Sequence, residues 1–168
     1  MADFTITVDL EAMKKRLTAL GPQGLAASVL AAVRLTVQTW LRGTVQKISG
    51  PYLGVVTGTA RRSITSTAAI EGDGEVVRGR FGSPLRYVRA HELGFRGAVY
   101  VREHVRDPTD RAAHIVRAHS RYVNMRARHF MRDTIHEDLV GTEHRLRRAL
   151  LLLARTGRPP SVADLQGI

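Results

Sequence analysis

The chain contains no cysteine. That excludes disulfide bridges and thiolate metal ligands, and it fits folding in a reducing compartment. Aromatic residues make up only 5%, so the core of a 168-residue chain must be mainly aliphatic. Lysine is nearly missing as well: Lys14, Lys15 and Lys47 are the only three, against 23 arginines. Long hydrophobic runs are absent. The greasiest, Ala149–Ala154, falls far short of the ~20 residues that span a bilayer. Met1-Ala2-Asp3-Phe4 lacks the basic-then-apolar order of a signal peptide. The expectation is a soluble product with no membrane partner, retained in the cytoplasm where it is made.

Reactive constellations are just as scarce. His91-Glu92 and His136-Glu137 open like a zinc-protease HExxH motif, but the second histidine would fall at Phe95 and Val140. The seven histidines are scattered singly, without metal-ligand spacing. Gly82-Ser83-Pro84 is not a GxSxG nucleophile elbow. No glycine-rich loop leads into Lys-Ser or Lys-Thr, so a P-loop is missing. The acids are too sparse and too interleaved with arginine to form a carboxylate pair. No catalytic residue, cofactor or metal is expected, and the chain does not read as an enzyme.

What the chain does have is positive charge, a formal +11. Between Val76 and Arg132 stand 13 arginines and four acids (Glu92, Glu103, Asp107, Asp110), so that window supplies nine of the eleven charges. Arginine makes rigid, bidentate contacts to carboxylates and phosphates. So local an excess points to an anionic partner, either nucleic acid or an acidic protein face.

Periodicity predicts an α+β fold. Phe4–Val8 alternates as a short strand, and Asp9 can cap a helix through about Leu20. From Gln23 to about Ile48, Leu25, Val29, Val33, Val37, Trp40, Leu41, Val45 and Ile48 recur at helical spacing, and Gly50-Pro51 ends the run. Thr57 reads as the N-cap of a short turn that exposes Arg61 and Arg62. Ile64–Ile70 and Glu75–Phe81 form a hairpin about Gly72-Asp73-Gly74. Leu85–Leu93 reads as a helix ended by Gly94, and a long helix is predicted from about His129 to Arg155, bent at Gly141. Residues 1–156 then make one domain and 157–168 a flexible tail.

Between those helices, Val99–Arg106 and His114–Met125 read as two strands joined through Asp107-Pro108-Thr109-Asp110. Side chains alternate faces along a strand. Arg102, His104 and Arg106 therefore share a face of one strand, and Arg117, His119 and Arg121 share a face of the other. A register that sets His104 opposite Arg117 would gather all six on one cationic face. A slip of one residue would split them between two faces. These six are the candidate partner contacts.

Three segments, taken in order, carry a resemblance. Thr57-Gly58-Thr59-Ala60-Arg61-Arg62-Ser63-Ile64, Tyr87-Val88-Arg89-Ala90-His91-Glu92-Leu93-Gly94 and Ala127-Arg128-His129-Phe130-Met131-Arg132-Asp133 resemble the tail-completion (head–tail joining, neck, minor tail component) proteins of long-tailed bacteriophages. Those proteins show a TGxLrxS turn, then YAxxxExG, then a PFxxP entry into the last helix. The likeness covers roughly Leu25 to Ala154. It implies N-terminal helices, a small antiparallel sheet and a long C-terminal helix. By resemblance, Gly58 makes the tight turn before the short helix, Glu92 and Gly94 sit at a sheet–loop junction, and Phe130 anchors the last helix; Thr57 and Arg61 complete the motif positions. The chain departs from the pattern at His129, where relatives have proline. It also departs over 95–124, a basic hairpin insert longer than usual.

The function implied is structural. Such proteins form a homo-oligomeric ring, generally hexameric, at the head–tail interface of the virion. The ring joins the connector or head-closure protein to the tail terminator and tail tube, and leaves a channel through which genomic DNA is ejected. An alternative from a different class is a stand-alone basic protein that holds nucleic-acid phosphates through the arginine-rich hairpin. Zinc-finger spacing, an RRM signature and a helix-turn-helix are not evident.

Overall fold

A computed structural model describes residues 2–9, 22–50, 58–72, 76–106 and 112–166. The fold is α+β. In chain order the elements are β1 (Ala2–Asp9), α1 (Pro22–Ser49), α2 (Thr59–Ser63), β2 (Thr65–Glu71), β3 (Val76–Ser83), α3 (Arg86–Leu93) and β4 (Phe95–Val101). Then follow β5 (His104–Arg106), β6 (His114–Val116), β7 (His119–Met125), α4 (Phe130–Glu137), α5 (Leu139–Thr156) and α6 (Val162–Gln166). The helix predicted from Asp9 to Leu20 lies outside the described residues, apart from Asp9, which closes β1. Thr57 and the turn residues Asp73 and Gly74 also lie outside them.

Helix α1 organises the body. Its predicted stripe is buried at Leu25, Val29, Val33, Val37, Trp40 and Ile48, and half-buried at Leu41 and Val45. A second side, Ala31, Ala32 and Leu35, is buried as well, because α1 lies between the sheet and the C-terminal helices α5 and α6. By length and apolarity α1 could cross a membrane, but 61% of its most apolar window is buried inside the fold.

The sheet has the order β1-β3-β2, antiparallel throughout. On β3, Val77, Gly79 and Phe81 face α1, while Arg78 and Arg80 face out and pair with Glu71 at 2.6 and 3.9 Å. Gly79 sets how closely the layers approach. A Cβ there would lie 2.6 Å from Val33 and 2.8 Å from Val37, so any side chain would push helix from strand.

Two C-terminal expectations are corrected. The single helix from His129 is two helices, α4 and α5, broken at Asp138 (φ −104°, ψ 8°) rather than bent at Gly141. Asp138 is held there by the Arg145 guanidinium, whose Nε also donates to Thr36 of α1 at 3.0 Å. The second correction concerns the tail expected to be flexible. It carries α6, started by Ser161 and Asp164: Ser161 N donates to Asp164 Oδ2 at 2.7 Å, and Asp164 N donates back to Ser161 Oγ at 3.3 Å. This reciprocal cap lets Leu165 bury itself against Ala31, Ala32, Leu35 and Ala149. The Ser161 backbone N–H and then its hydroxyl, which donates to Asp164 Oδ2 at 2.9 Å, lower the Asp164 pKa.

Candidate functional site: a basic ribbon and its root

The ribbon leaves and re-enters the body at one joint. Outgoing chain follows α3 through Gly94, and returning chain reaches α4 through 126–129. The two are tied by Arg128 N donating to the His91 carbonyl at 2.9 Å and His129 N to the Glu92 carbonyl at 3.2 Å. Below these bonds lies the Glu92 side chain, fully buried. Its Oε2 accepts from Met131 N at 2.9 Å and its Oε1 from Arg132 N at 3.0 Å.

Those two N–H groups belong to the first turn of α4, where a helix leaves donors without partners. An N-cap Ser, Thr or Asp normally supplies the acceptor. Here the N-cap is His129, in the left-handed region at φ 50°, and it makes no side-chain cap. A glutamate about 40 residues upstream replaces it. The resemblance placed Glu92 at a sheet–loop junction; it lies instead in the last turn of α3.

Gly94 is required beside it. Its φ is 79°, and a Cβ would sit 3.0 Å from Ala127 N and 3.1 Å from Met125 O. The two strands can therefore begin in contact only with glycine at this position. His91 completes the joint. Burial, and secondarily the Arg128 guanidinium, lower its pKa, and its Nδ1 is buried without a hydrogen-bond partner.

The three motif segments meet in one cluster. Ile64 from the first, Val88 from the second, and Phe130 and Met131 from the third pack together with Val37, Trp40, Ile48 and Phe81. Gly58 takes the N-cap position of α2 at φ 69°, the place assigned to Thr57 in sequence, and Arg61 and Arg62 are exposed. The Ser63 and Ser83 hydroxyls lie 2.6 Å apart and Ser83 Oγ accepts from Leu85 N at 3.2 Å, linking α2 to the entry of α3.

Beyond the joint, β4 pairs with β7 from Phe95↔Met125 to Val101↔His119, and β5 with β6 from His104↔Val116 to Arg106↔His114. The ribbon thus starts at Phe95, where the hairpin insert was expected to begin, with its first strand four residues ahead of the predicted Val99, and it is interrupted at 102–103 and 117–118. His104 faces Val116 and not Arg117, one residue from the register that would gather the cations. Arg102 and Arg117 fall in the interruption. His104 and Arg106 share a face with Val116 and His114, while His119 and Arg121 share a face with Val101 and Val99. The single cationic face is therefore not formed. Like charges stacked directly opposite would repel; this register sets Val99 against Arg121 and Val105 against Ile115 instead.

All six candidate contacts are exposed. Sequence reasoning missed Tyr100 and Tyr122, which are diagonal neighbours on one face and 65% and 64% exposed. Arg96 Nε donates to the Tyr122 hydroxyl at 2.7 Å. The signal was in the alternation: position 100 follows 96 and 98, and 122 pairs with 98.

No protein-family model, curated protein or solved structure matches this chain. The chemistry is read from its own residues. Among the described residues no group of three or more His, Asp or Glu side chains could hold a metal. The hollows are small surface depressions, such as one of about 210 Å³ lined by Thr65, Thr67, Arg80 and Ser83. The described ribbon arginines make no ion pair with any described residue, whereas some body cations do: Lys47–Glu137, Arg78–Glu71, Arg145–Asp138 and Arg147–Glu143.

Proposed function

We propose that the chain is a structural component of a phage neck: a subunit of a ring, generally sixfold, that joins the connector or head-closure protein to the tail terminator and tail tube and leaves a passage for DNA. The observation that supports this most is the convergence of the three motif segments. Residues far apart in sequence, Ile64, Val88 and Phe130, share one cluster, and Glu92 and Gly94 build the joint beside it. The motifs serve to hold a projecting ribbon on a rigid body, as an assembly part requires.

A stand-alone nucleic-acid-binding protein has less support, since the ribbon divides its cations between two faces. Binding through phosphates alone would fall steeply with salt. Sedimentation of the purified protein, with and without a neck partner, combined with duplex affinity at 50 and 200 mM salt, tests the proposal. A ring with weak duplex binding is expected. A monomer that binds duplex tightly at low salt and ignores neck components overturns it.

A further inference from the structure

The two strands of the ribbon carry one pattern twice. Val101-Arg102-Glu103-His104-Val105-Arg106 goes out and Val116-Arg117-Ala118-His119-Ser120-Arg121 comes back, both Val-Arg-x-His-x-Arg. The repetition extends to conformation. In each copy the histidine Nδ1 bonds the carbonyl of the arginine two residues earlier at 2.9 Å. A carbonyl only accepts, so each ring donates from Nδ1 and leaves Nε2 for another group.

Pairing decides where the copies point. The register runs from Val101↔His119 to His104↔Val116 with no residue gained or lost across the interruption. Residues on one face of the ribbon therefore share parity, odd or even, across both strands. The copies begin at Val101 and Val116, one odd and one even. One His-x-Arg pair, His104 and Arg106 or His119 and Arg121, consequently lies on each face, with Arg102 and Arg117 at the interruption beside them.

The geometry points to a two-sided wedge: the ribbon inserts between two copies of the same acidic protein surface, and each face is read by one His-x-Arg pair together with the arginine at the interruption that precedes it. Charge complementarity requires the acids to come from elsewhere. Among the acids whose side chains are described, Glu71, Glu137, Asp138 and Glu143 are paired with body cations, Asp164 is held by Ser161, Asp133 is engaged within the chain, Glu92 is buried, and Glu103 lies on the ribbon itself. A second copy of the chain is thus a poor source.

Protein fits better than nucleic acid for two reasons. A phosphate backbone would be met most strongly by cations gathered on one face, and the register separates them. The ribbon also exposes Val105 and Ile115 at 68% and 66%, together with Tyr100 and Tyr122. Tyrosine and arginine are enriched at protein interfaces while lysine is depleted, and residues 95–125 contain no lysine. Arg96 occupies the Tyr122 oxygen and leaves its hydrogen for an acceptor such as a carboxylate. The inference rests on the neck reading only in taking the two walls as adjacent subunits of a ring.

Calorimetric titration of the full chain with an octaglutamate peptide tests the wedge. Two peptides per chain are expected, one per chain in R102E/R106E and in R117E/R121E, and none in the quadruple variant. The neutral pairs R102Q/R106Q and R117Q/R121Q must also leave one each, which separates loss of a face from loss of the ribbon. The proposal is overturned by one peptide per wild-type chain, by unchanged binding in the quadruple variant, or by a 30-base-pair duplex displacing the peptide at equal charge concentration. Sedimentation reads ring formation separately. A chain that forms no ring yet titrates two peptides defeats the neck reading and leaves the wedge standing; a ring that titrates none does the reverse.

Discussion

The body and the ribbon obey opposite rules. In the body, apolar residues recur with the period of the element that carries them, and several described cations, Lys47, Arg78 and Arg145 among them, find acids within the chain. In the ribbon one face is exposed and the other only half-buried, at Val99, Val101, Val123 and Met125; five described arginines stand against the single described acid Glu103, and Val105 and Ile115 lie in solvent. An isolated two-stranded hairpin is marginal in water. The body is therefore specified by what it packs against itself, whereas the ribbon has no fully buried side chain among its described residues to specify it.

Substitutions can break or sharpen that contrast. The largest effect is expected at the joint. Glu92→Ala removes both acceptors from the first turn of α4 and should cost about 3 kcal/mol in urea unfolding; an unchanged midpoint would mean that the joint does not hold the body together. Gly94→Ala should cost ~1–3 kcal/mol through the forced positive φ and the crowding at Ala127. Ser161→Ala, which unties the start of α6, should cost about 1 kcal/mol.

A smaller effect concerns pH. The folded His91 pKa lies below 6.5 because of burial and Arg128. As pH falls below that value the unfolded chain takes up the proton first, so stability should decline between 6.5 and the lower folded value. His91→Asn should flatten that part of the unfolding profile. The smallest change in stability belongs to the ribbon: R102E/R117E/R121E should shift unfolding by less than about 0.5 kcal/mol while abolishing association with an acidic neighbour. A triple variant as unstable as Glu92→Ala would make the ribbon part of the body.

The body was the more readable region because periodicity reports burial. The stripe from Leu25 to Ile48 and the hairpin about Gly72 follow from side chains that repeat at 3.6 or 2 residues. The break at Asp138 did not, since it depends on Arg145 reaching back to Asp138 and across to Thr36, contacts with no local signature. Helix α6 could have been read: Ser161-Val162-Ala163-Asp164 is a reciprocal cap followed by a leucine. The ribbon's residues were legible and their register was not, because without a buried face nothing in the pattern favours one pairing over its neighbour. Glu92 was found by resemblance, but its role as a remote cap required the third dimension.

The joint also fixes how the chain can vary. Residues 91 and 128 are one hydrogen bond apart, at 2.9 Å, so the ribbon beyond Gly94 is a closed excursion whose two ends are tied together at the joint. Lengthening such an excursion adds little closure entropy, about 0.6 kcal/mol per doubling. The body can thus carry a shorter, longer or differently charged ribbon without refolding, as a tool handle accepts exchangeable heads.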